Sequence, residues 1–257
     1  MKKLKSIINY FAPVLTIIVL LLLWQLICTT GFVPAFMLPA PTDILYALAD
    51  DFSLLMSNAA ITLTEALVGL AIGIVLSFII SYFMDRFDIV YRCSYPLLVI
   101  SQTVPAVAIA PLLVLWMGYG MAPKIALIVI VTFFPISIGL LNGFRSVPES
   151  TLGLFDSLGA NKRQIFWHLK FPYALGSFFS GLKISVSYSI VGAVVAEWLG
   201  GTGGLGVYMT RVRKSYSFDK MFAVIFIIIV VSLLLMFFTS LLQKKITPWL
   251  TLERKQN

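Results

Sequence analysis

Few residues in this 257-residue chain have the type and spacing that chemistry needs. No Gly-Lys dipeptide occurs, so no phosphate-binding loop of the form G-x-x-x-x-G-K-S/T exists, and any ATP chemistry must come from a partner. Gly201, Gly203 and Gly206 match G-x-G-x-x-G, which holds a dinucleotide when it joins a strand to a helix in a soluble sheet. Here it follows a long apolar run, and a flexible turn is expected instead. His168 is the single histidine, which leaves neither a two-histidine metal site nor a catalytic triad. No cofactor, metal ligand or catalytic residue is therefore expected. The charges left to explain are Glu65, Lys183 and Glu197, each within an apolar stretch where an ionised side chain costs about 2.5–3.5 kcal/mol on insertion scales.

The elements that must position these groups follow from composition. About 60% of the chain is hydrophobic and only 12% charged, where a soluble domain carries roughly a quarter of its residues charged. That excludes a soluble enzyme, a nucleic-acid-binding domain and a disordered protein. A bilayer core about 30 Å thick takes about 20 apolar residues per helix, and six such spans are expected, near 11–29, 58–84, 94–117, 124–143, 174–199 and 221–243. Helices are the form required, because they satisfy their own backbone in lipid, and no ten-residue alternating pattern suggests a barrel. The expected fold is an all-α integral membrane protein with a single transmembrane domain over 1–257. Lys2, Lys3 and Lys5 precede the first span, but no small-x-small cleavage site follows it, so it reads as an uncleaved helix.

Lysine and arginine near span ends set the orientation. With the N-terminus inside, 13 basic residues are cytoplasmic, Arg254 and Lys255 among them, against five outside, so both termini are expected in the cytoplasm. Lys124, Arg211, Arg213, Lys214 and Lys220 are the outer five, and the last four run against the rule. The first outer loop carries Asp43, Asp50 and Asp51 and no basic residue. Cys28 and Cys93 fall at opposite membrane faces, which rules out a disulfide between them.

The cytoplasmic loop 145–173 is expected to fold as helix, glycine turn, helix. Ser146 with Glu149 three residues on, and Pro148 between, predicts a capped helix start. That helix breaks at Gly159, Asn161 with Gln164 caps a second, and Pro172 is expected to end it. The loop is either a hairpin lying on the lipid surface or a docking element for a cytoplasmic partner. Within the spans, Glu65, Gly69, Gly73, Ser77 and Ser81, and likewise Ser177, Gly181, Ser185, Ser189, Ala193 and Glu197, recur every four residues. Small residues let membrane helices approach closely. The second and fifth spans are expected to pack on each other and line a path, with Glu65 and Glu197 near an outer gate. Steps of four drift by about 40° per turn, so neither run is expected to face one partner throughout. The competing reading makes both glutamates structural, protonated or paired locally, for example Glu197 with Arg211. Pro105 and Pro111 should kink the third span, and Gln102 and Thr103 one turn before Pro105 either contact solute or repair the kink.

The run Gly159, nine residues, then Leu169-Lys170-Phe171-Pro172 resembles the cytoplasmic signature of binding-protein-dependent ABC importer permeases, a Glu-Ala-Ala triplet, x3, Gly, x9, Ile-x-Leu-Pro. The triplet position reads Gly153-Leu154-Phe155. Three more stretches resemble the nitrate, sulfonate and taurine branch: Leu38-Pro39-Ala40-Pro41-Thr42-Asp43-Ile44, Pro105 through Ala110-Pro111-Leu112 to Trp116-Met117-Gly118, and Ala196-Glu197 with Gly204-Leu205-Gly206. The resemblance implies a type I importer permease in the plasma or inner membrane, working as a homodimer with two ATPase subunits and an external solute-binding protein. It implies a coupling helix that docks on the ATPase through Asp156, Gly159, Ala160, Lys162, Arg163, Phe166 and His168. Path or gate candidates are Glu65, Gln102, Thr103, Pro105, Ser185, Ser189 and Glu197. Relatives of this branch handle nitrate, sulfonates, taurine or pyrimidine precursors of thiamine, so a small polar or anionic solute is implied. A self-contained secondary transporter or channel is the alternative, and an intramembrane enzyme lacks the paired aspartates or histidines it would need.

Overall fold

The computed structural model describes residues 2–34 and 37–249, with side chains described for residues 12, 14–34 and 37–249. Arg254 and Lys255 lie outside the described residues, as do the side chains of Lys2, Lys3 and Lys5. The elements in chain order are α1 Lys2–Thr29, α2 Pro41–Asp50, α3 Phe52–Arg86, α4 Asp88–Ser101, α5 Ala106–Met117, α6 Met121–Arg145, α7 Glu149–Ser157, α8 Lys162–Ile165, a π turn Phe166–Lys170, α9 Phe171–Gly200, α10 Leu205–Lys214 and α11 Phe218–Ile246. Among the described residues, four helical stretches are long and apolar enough to cross a membrane: Phe52–Arg86, Met121–Arg145, Lys162–Gly200 and Phe218–Ile246. One of the expected spans takes another form. The third is not one kinked helix but α4 and α5, bent by 103° across residues 102–105. Pro105 lacks the N–H that would continue the α4 ladder, and it restricts Val104 to extended backbone. The first expected span, 11–29, falls within α1, whose described apolar stretch is Val14–Thr29.

The chain divides into two compact units, residues 1–58 with 208–227, and residues 59–207 with 228–257. In the first unit α2 occupies what the sequence suggested was open loop. Pro41 opens it without an N–H to leave unsatisfied, and Asp43 accepts the Ala40 N–H at 3.2 Å. Trp24 of α1 packs against Phe222, with ring centroids 6.0 Å apart. Lys220 meets Asp51 at 2.8 Å and Asp50 at 3.5 Å, and the Tyr208 hydroxyl donates to Asp51. This network accounts for one member of the basic set expected outside: Asp50 and Asp51, from the expected first outer loop, pair with Lys220.

The Lys220 ammonium and then the Tyr208 hydroxyl hold the Asp51 carboxyl below the usual carboxylate range. Burial, followed by the Asp51 bond, pushes the Tyr208 phenol up. For a carboxyl depressed in the folded state, the stabilisation is complete above its unfolded value of about 3.9 and is lost as pH falls through the folded value. Thermal melts in detergent should therefore show no contribution from this group to changes between pH 5 and 8. Below about pH 4 the wild type should lose stability that Asp51→Asn has already lost. Parallel pH profiles for the two proteins down to pH 3 would count against this assignment.

The second unit is built around α6. Gly69 and Gly73 of α3 lie so close to α6 that a Cβ would come 2.5 Å from Ile128 Cγ2 and Thr132 Oγ1 respectively. One and two turns further on, Ser77 donates to the Phe133 carbonyl at 2.9 Å and Ser81 to the Ser137 carbonyl at 3.1 Å. On the other side Gly181 abuts the Pro135 carbonyl, Ser185 donates to the Thr132 carbonyl at 2.8 Å, and Gly192 sits against Val131. Over residues 69–81 and 177–185 the two runs thus face α6 and not each other as expected, while towards residues 62–66 and 190–197 α3 and α9 do meet, where Thr62 donates to Glu197 and Ala66 packs with Ile190 and Ala193. Each of the two stretches on α6 keeps that one partner along its length. When rows of side chains spaced by four interlock, the helices cross at an angle and the drift of the row follows the crossing.

The register of these contacts fixes direction. Residues 69, 73, 77 and 81 meet 128, 132, 133 and 137 in ascending order, so α3 and α6 are parallel. Residues 139 and 143 meet 177 and 174, so α9 is antiparallel to α6. Because the start of α6 lies beside the first half of α3, the chain from 87 to 120 must run back from the far end of α3. The core fills around this seam with Ile136, Leu140, Phe144, Phe179, Leu182 and Val186, and Ile228, Val231 and Leu235 of α11 pack against it.

Candidate functional site

Both intramembrane glutamates are buried and bonded to neighbours in the second unit. Glu65 on α3 accepts from the Lys124 ammonium at 2.6 Å, with side-chain exposures of 4% and 6%. Lys124, counted with the outer set at the start of the fourth expected span, lies in the first turn of α6 as that boundary implies; it is buried there, and it is the partner that sequence reasoning missed. The signal was available, since it is the one cation at the head of an otherwise apolar helix. Glu65 Oε2 has no hydrogen-bond partner.

Glu197, near the end of α9, is held by neutral donors and not by Arg211 as the paired alternative supposed. Thr62 Oγ1 donates to Oε1 at 2.7 Å, and the Gly206 N–H donates to Oε2 at 2.6 Å. The Leu205 N–H in turn donates to Thr62 Oγ1 at 2.9 Å. Glu197 and Thr62 therefore cap the first turn of α10, where backbone N–H groups lack helical partners and the helix dipole favours a carboxylate. The glycine motif makes room for this clasp. Gly204 has a φ of +113°, and a side chain there would run into the Glu197 carboxylate, while at Gly206 a Cβ would lie 2.9 Å from Glu197 Cβ. The G-x-G-x-x-G match is a turn closed on a carboxylate, as the expected turn reading requires, and it holds no nucleotide-binding geometry.

The loop 145–173 forms helix, turn, helix in the expected order, with two differences. Ser146 donates to Gly143 instead of capping, so α7 begins after Pro148 without a side-chain cap. Pro172 does not end the second helix. The chain passes from α8 through the π turn into α9, where Phe171 N–H reaches back to the Phe166 carbonyl. The wider turn accommodates a proline that would otherwise clash with the carbonyl four residues before it. Gly159 does break the helix, at φ +74°, and the Asn161 with Gln164 box does form, with bonds of 2.9 and 2.8 Å.

Of the docking candidates, Asp156, Gly159, Lys162, Arg163 and His168 are exposed and Ala160 is half-buried. Phe166 is the exception. It is buried, its ring against Tyr82 at 4.7 Å, Phe144 at 5.2 Å and Phe78 at 6.5 Å, so it anchors the loop and does not present a surface. Lys170 adds a second anchor with two 2.8 Å bonds to Asp85 at the end of α3. The sequence reading missed Leu154 on α7 and Leu158 just past its end, which are 57% and 76% exposed, and Trp167, 49% exposed. No residue of α7 is fully buried. A groove of about 620 Å³ lies between this loop and the end of α3, with Arg86, Asp156, Lys162 and Arg163 on its walls.

Among the path candidates, Gln102, Thr103 and Pro105 are exposed at the bend between α4 and α5. Ser185 and Ser189 are fully buried and bonded to the Thr132 and Val186 carbonyls, which puts them in the helix seam. Two open grooves of about 290 and 460 Å³ share Gln102 and Tyr188. No group of three or more potential metal ligands occurs among the described residues.

This architecture agrees with known proteins. Residues 69–248 match the family described as binding-protein-dependent transport system inner membrane component. The formylaminopyrimidine transport permease protein ThiX of Halalkalibacterium halodurans is 37% identical over 238 residues, covering 92% of this chain and 95% of that protein. A probable ABC transporter permease protein of Haemophilus influenzae is 36% identical over 221 residues, covering 86% and 90%. A chain from the MetNI methionine ABC transporter in inward-facing conformations superposes with a TM-score of 0.67 at 18% identity, over 77% of this chain and 98% of that one. The fold is thus an all-α, multi-pass membrane fold similar to ABC importer permeases, and the match over residues 69–248 means that the chain belongs to the family of binding-protein-dependent transport system inner membrane components.

Proposed function

We propose that this chain is the permease subunit of an ATP-driven importer. Two copies form the membrane channel, two ATPase subunits dock on the cytoplasmic loops, and an external binding protein delivers a small polar solute. Six spans, counting the bent pair α4 and α5 as one and α1 as the first, put both termini and the loop 145–173 in the cytoplasm. The parallel order of α3 and α6 supports that count, because the intervening chain has to return across the membrane.

One observation carries the reading: a short helix with exposed leucines stands on a rigid base. Leu154 on α7 and Leu158 at its C-terminal end are exposed, near Lys162 and Arg163 in the chain, while Phe166 and the Lys170–Asp85 pair fix the far end to the membrane core. Exposed apolar side chains bordered by charge are the mark of a partner-binding surface. Motion imposed there by ATP-driven closure of the partners would pass through Phe166 and Lys170 into α9 and α3. In this reading Asp156, Gly159, Ala160, Lys162, Arg163 and His168 form the docking surface with the two leucines. Glu65 and Glu197 hold the outer ends of α3, α6 and α9 together at the gate, while Gln102, Thr103 and Pro105 border the path. The relative from Halalkalibacterium halodurans makes a formylaminopyrimidine the first solute to try.

Co-expression with the cognate ATPase tests the docking. Leu154→Ser with Leu158→Ser, or Lys162→Glu with Arg163→Glu, should reduce co-purification of the ATPase at least tenfold and leave the permease folded in the membrane. A purified chain that moved solute in liposomes without ATPase or ATP would overturn the reading in favour of a self-contained transporter.

A further inference from the structure

The two open grooves share Gln102 and Tyr188 and lie along α6 and α9, and they are taken together as one furrow. On α9 their combined lining runs from Ser177 to Val195, about 27 Å at 1.5 Å per residue, nearly the thickness of the bilayer core. Gln102, which both grooves share, lies in the 103° break between α4 and α5. Non-helical backbone at membrane depth is tolerated only where it is buried in protein or lines a hydrated cavity. Gln102, Val104 and Pro105 of the break line the smaller groove, which fits the second condition.

The chemistry of the lining is uniform. Among the described residues, it contains no lysine, arginine, aspartate, glutamate or histidine. Its polar side chains are amides and hydroxyls: Gln102, Asn142, Ser101, Ser177, Ser180 and the phenol of Tyr188. Tyr188 is 47% exposed, which leaves its ring available for stacking. A bare anion crossing such a furrow would lose hydration without gaining a charged partner, which is the costly case in a low-dielectric site. A planar, uncharged molecule with hydrogen-bonding edges loses less and gains a ring face together with amide donors and acceptors.

We infer that the furrow centred on Gln102 and Tyr188 is a solute-selecting site of the permease itself, and that it takes an uncharged, planar nitrogen heterocycle, not a sulfonate or nitrate. Tyr188 supplies the stacking face, and Gln102, held at the break, supplies the paired donor and acceptor. This rests on the importer reading above and adds to it that selection does not reside only in the binding protein.

The test uses the complete transporter, permease with its cognate ATPase and binding protein, in cells that lack other uptake routes for the probes. Those probes are a formylaminopyrimidine and an alkanesulfonate, each radiolabelled. Wild type should take up the pyrimidine and not the sulfonate. Tyr188→Ala should lower pyrimidine uptake about tenfold, Tyr188→Phe should keep it within twofold, and Gln102→Leu should lower it several-fold. ATP hydrolysis stimulated by the binding protein should persist in all three. Unchanged uptake by Tyr188→Ala and Gln102→Leu would overturn the proposal, as would loss of the permease dimer in Tyr188→Ala, which would make the furrow a seam between copies. ATP-dependent uptake of the sulfonate in preference to the pyrimidine would also overturn it while leaving the importer reading intact. ATP-independent uptake of either probe would instead defeat the importer reading.

Discussion

Lys124→Met should be among the most damaging single substitutions in this protein, lowering the stability of the folded permease by about 3–5 kcal/mol. Lys124 and Glu65 are 2.6 Å apart and almost wholly shielded, and Glu65 Oε2 has no other donor. Removing the ammonium leaves a carboxylate with no counter-charge in a membrane interior, so it must either stay ionised at great cost or take up a proton. The two-residue variant Lys124→Met with Glu65→Gln separates charge from packing. It should recover most of the lost stability, because the residual amide is neutral and the methionine fills the volume of the lysine stem. The readout is the fraction of monodisperse protein after a thermal ramp in detergent. If Lys124→Met alone melts like wild type, the buried pair does not matter to stability. Should the double variant be worse than either single one, the penalty lies in shape and not in charge.

The second large effect is expected at Gly181. A Cβ at this position would meet the Pro135 carbonyl, with Pro135 C at 2.9 Å and Ile136 Cα at 3.3 Å. All three neighbours are backbone, and backbone in a helix cannot swing aside as a side-chain end can. Gly181→Val therefore forces α6 and α9 apart along a seam that also carries the Ser185 bond and the Gly139 and Gly143 contacts. Overpacking of this kind costs about 1–3 kcal/mol where side chains can adjust, and the upper end or beyond is expected here. Gly153→Ala is the matched control. It lies on α7 with nothing within 4 Å of an added Cβ. It should leave membrane stability unchanged or slightly improved, since alanine favours a helix over glycine by about 1 kcal/mol. Equal melts for the two variants would show that the α6 and α9 seam is not tightly specified.

Much of this was legible in the residue order. Apolar run lengths required helices in lipid, and Gly159 with the Asn161 and Gln164 box laid out the turn of the loop 145–173, because each of these depends on neighbours within a few positions. The family resemblance rested on the same local spacing. The tertiary structure decided the rest. The small-residue runs of α3 and α9 both serve α6 over most of the seam and meet each other where Thr62 reaches Glu197, since a period of four describes one surface of a helix and says nothing about which helix fills it. Lys124 at the head of α6 pairs with the Glu65 carboxylate, and Glu197 found the start of α10 instead of Arg211, because partners far apart in sequence meet only once helix register is set. Pro172 sits within a continuing helix because a π turn absorbs it, a solution that propensity alone does not indicate. Sequence by itself determined that this is a helical membrane protein with a helix-turn-helix loop between two spans, through periodicity and the cost of charge in lipid. Which buried charge meets which, and where an uncharged furrow opens at a broken helix, was decided by packing, because only packing determines what water can reach.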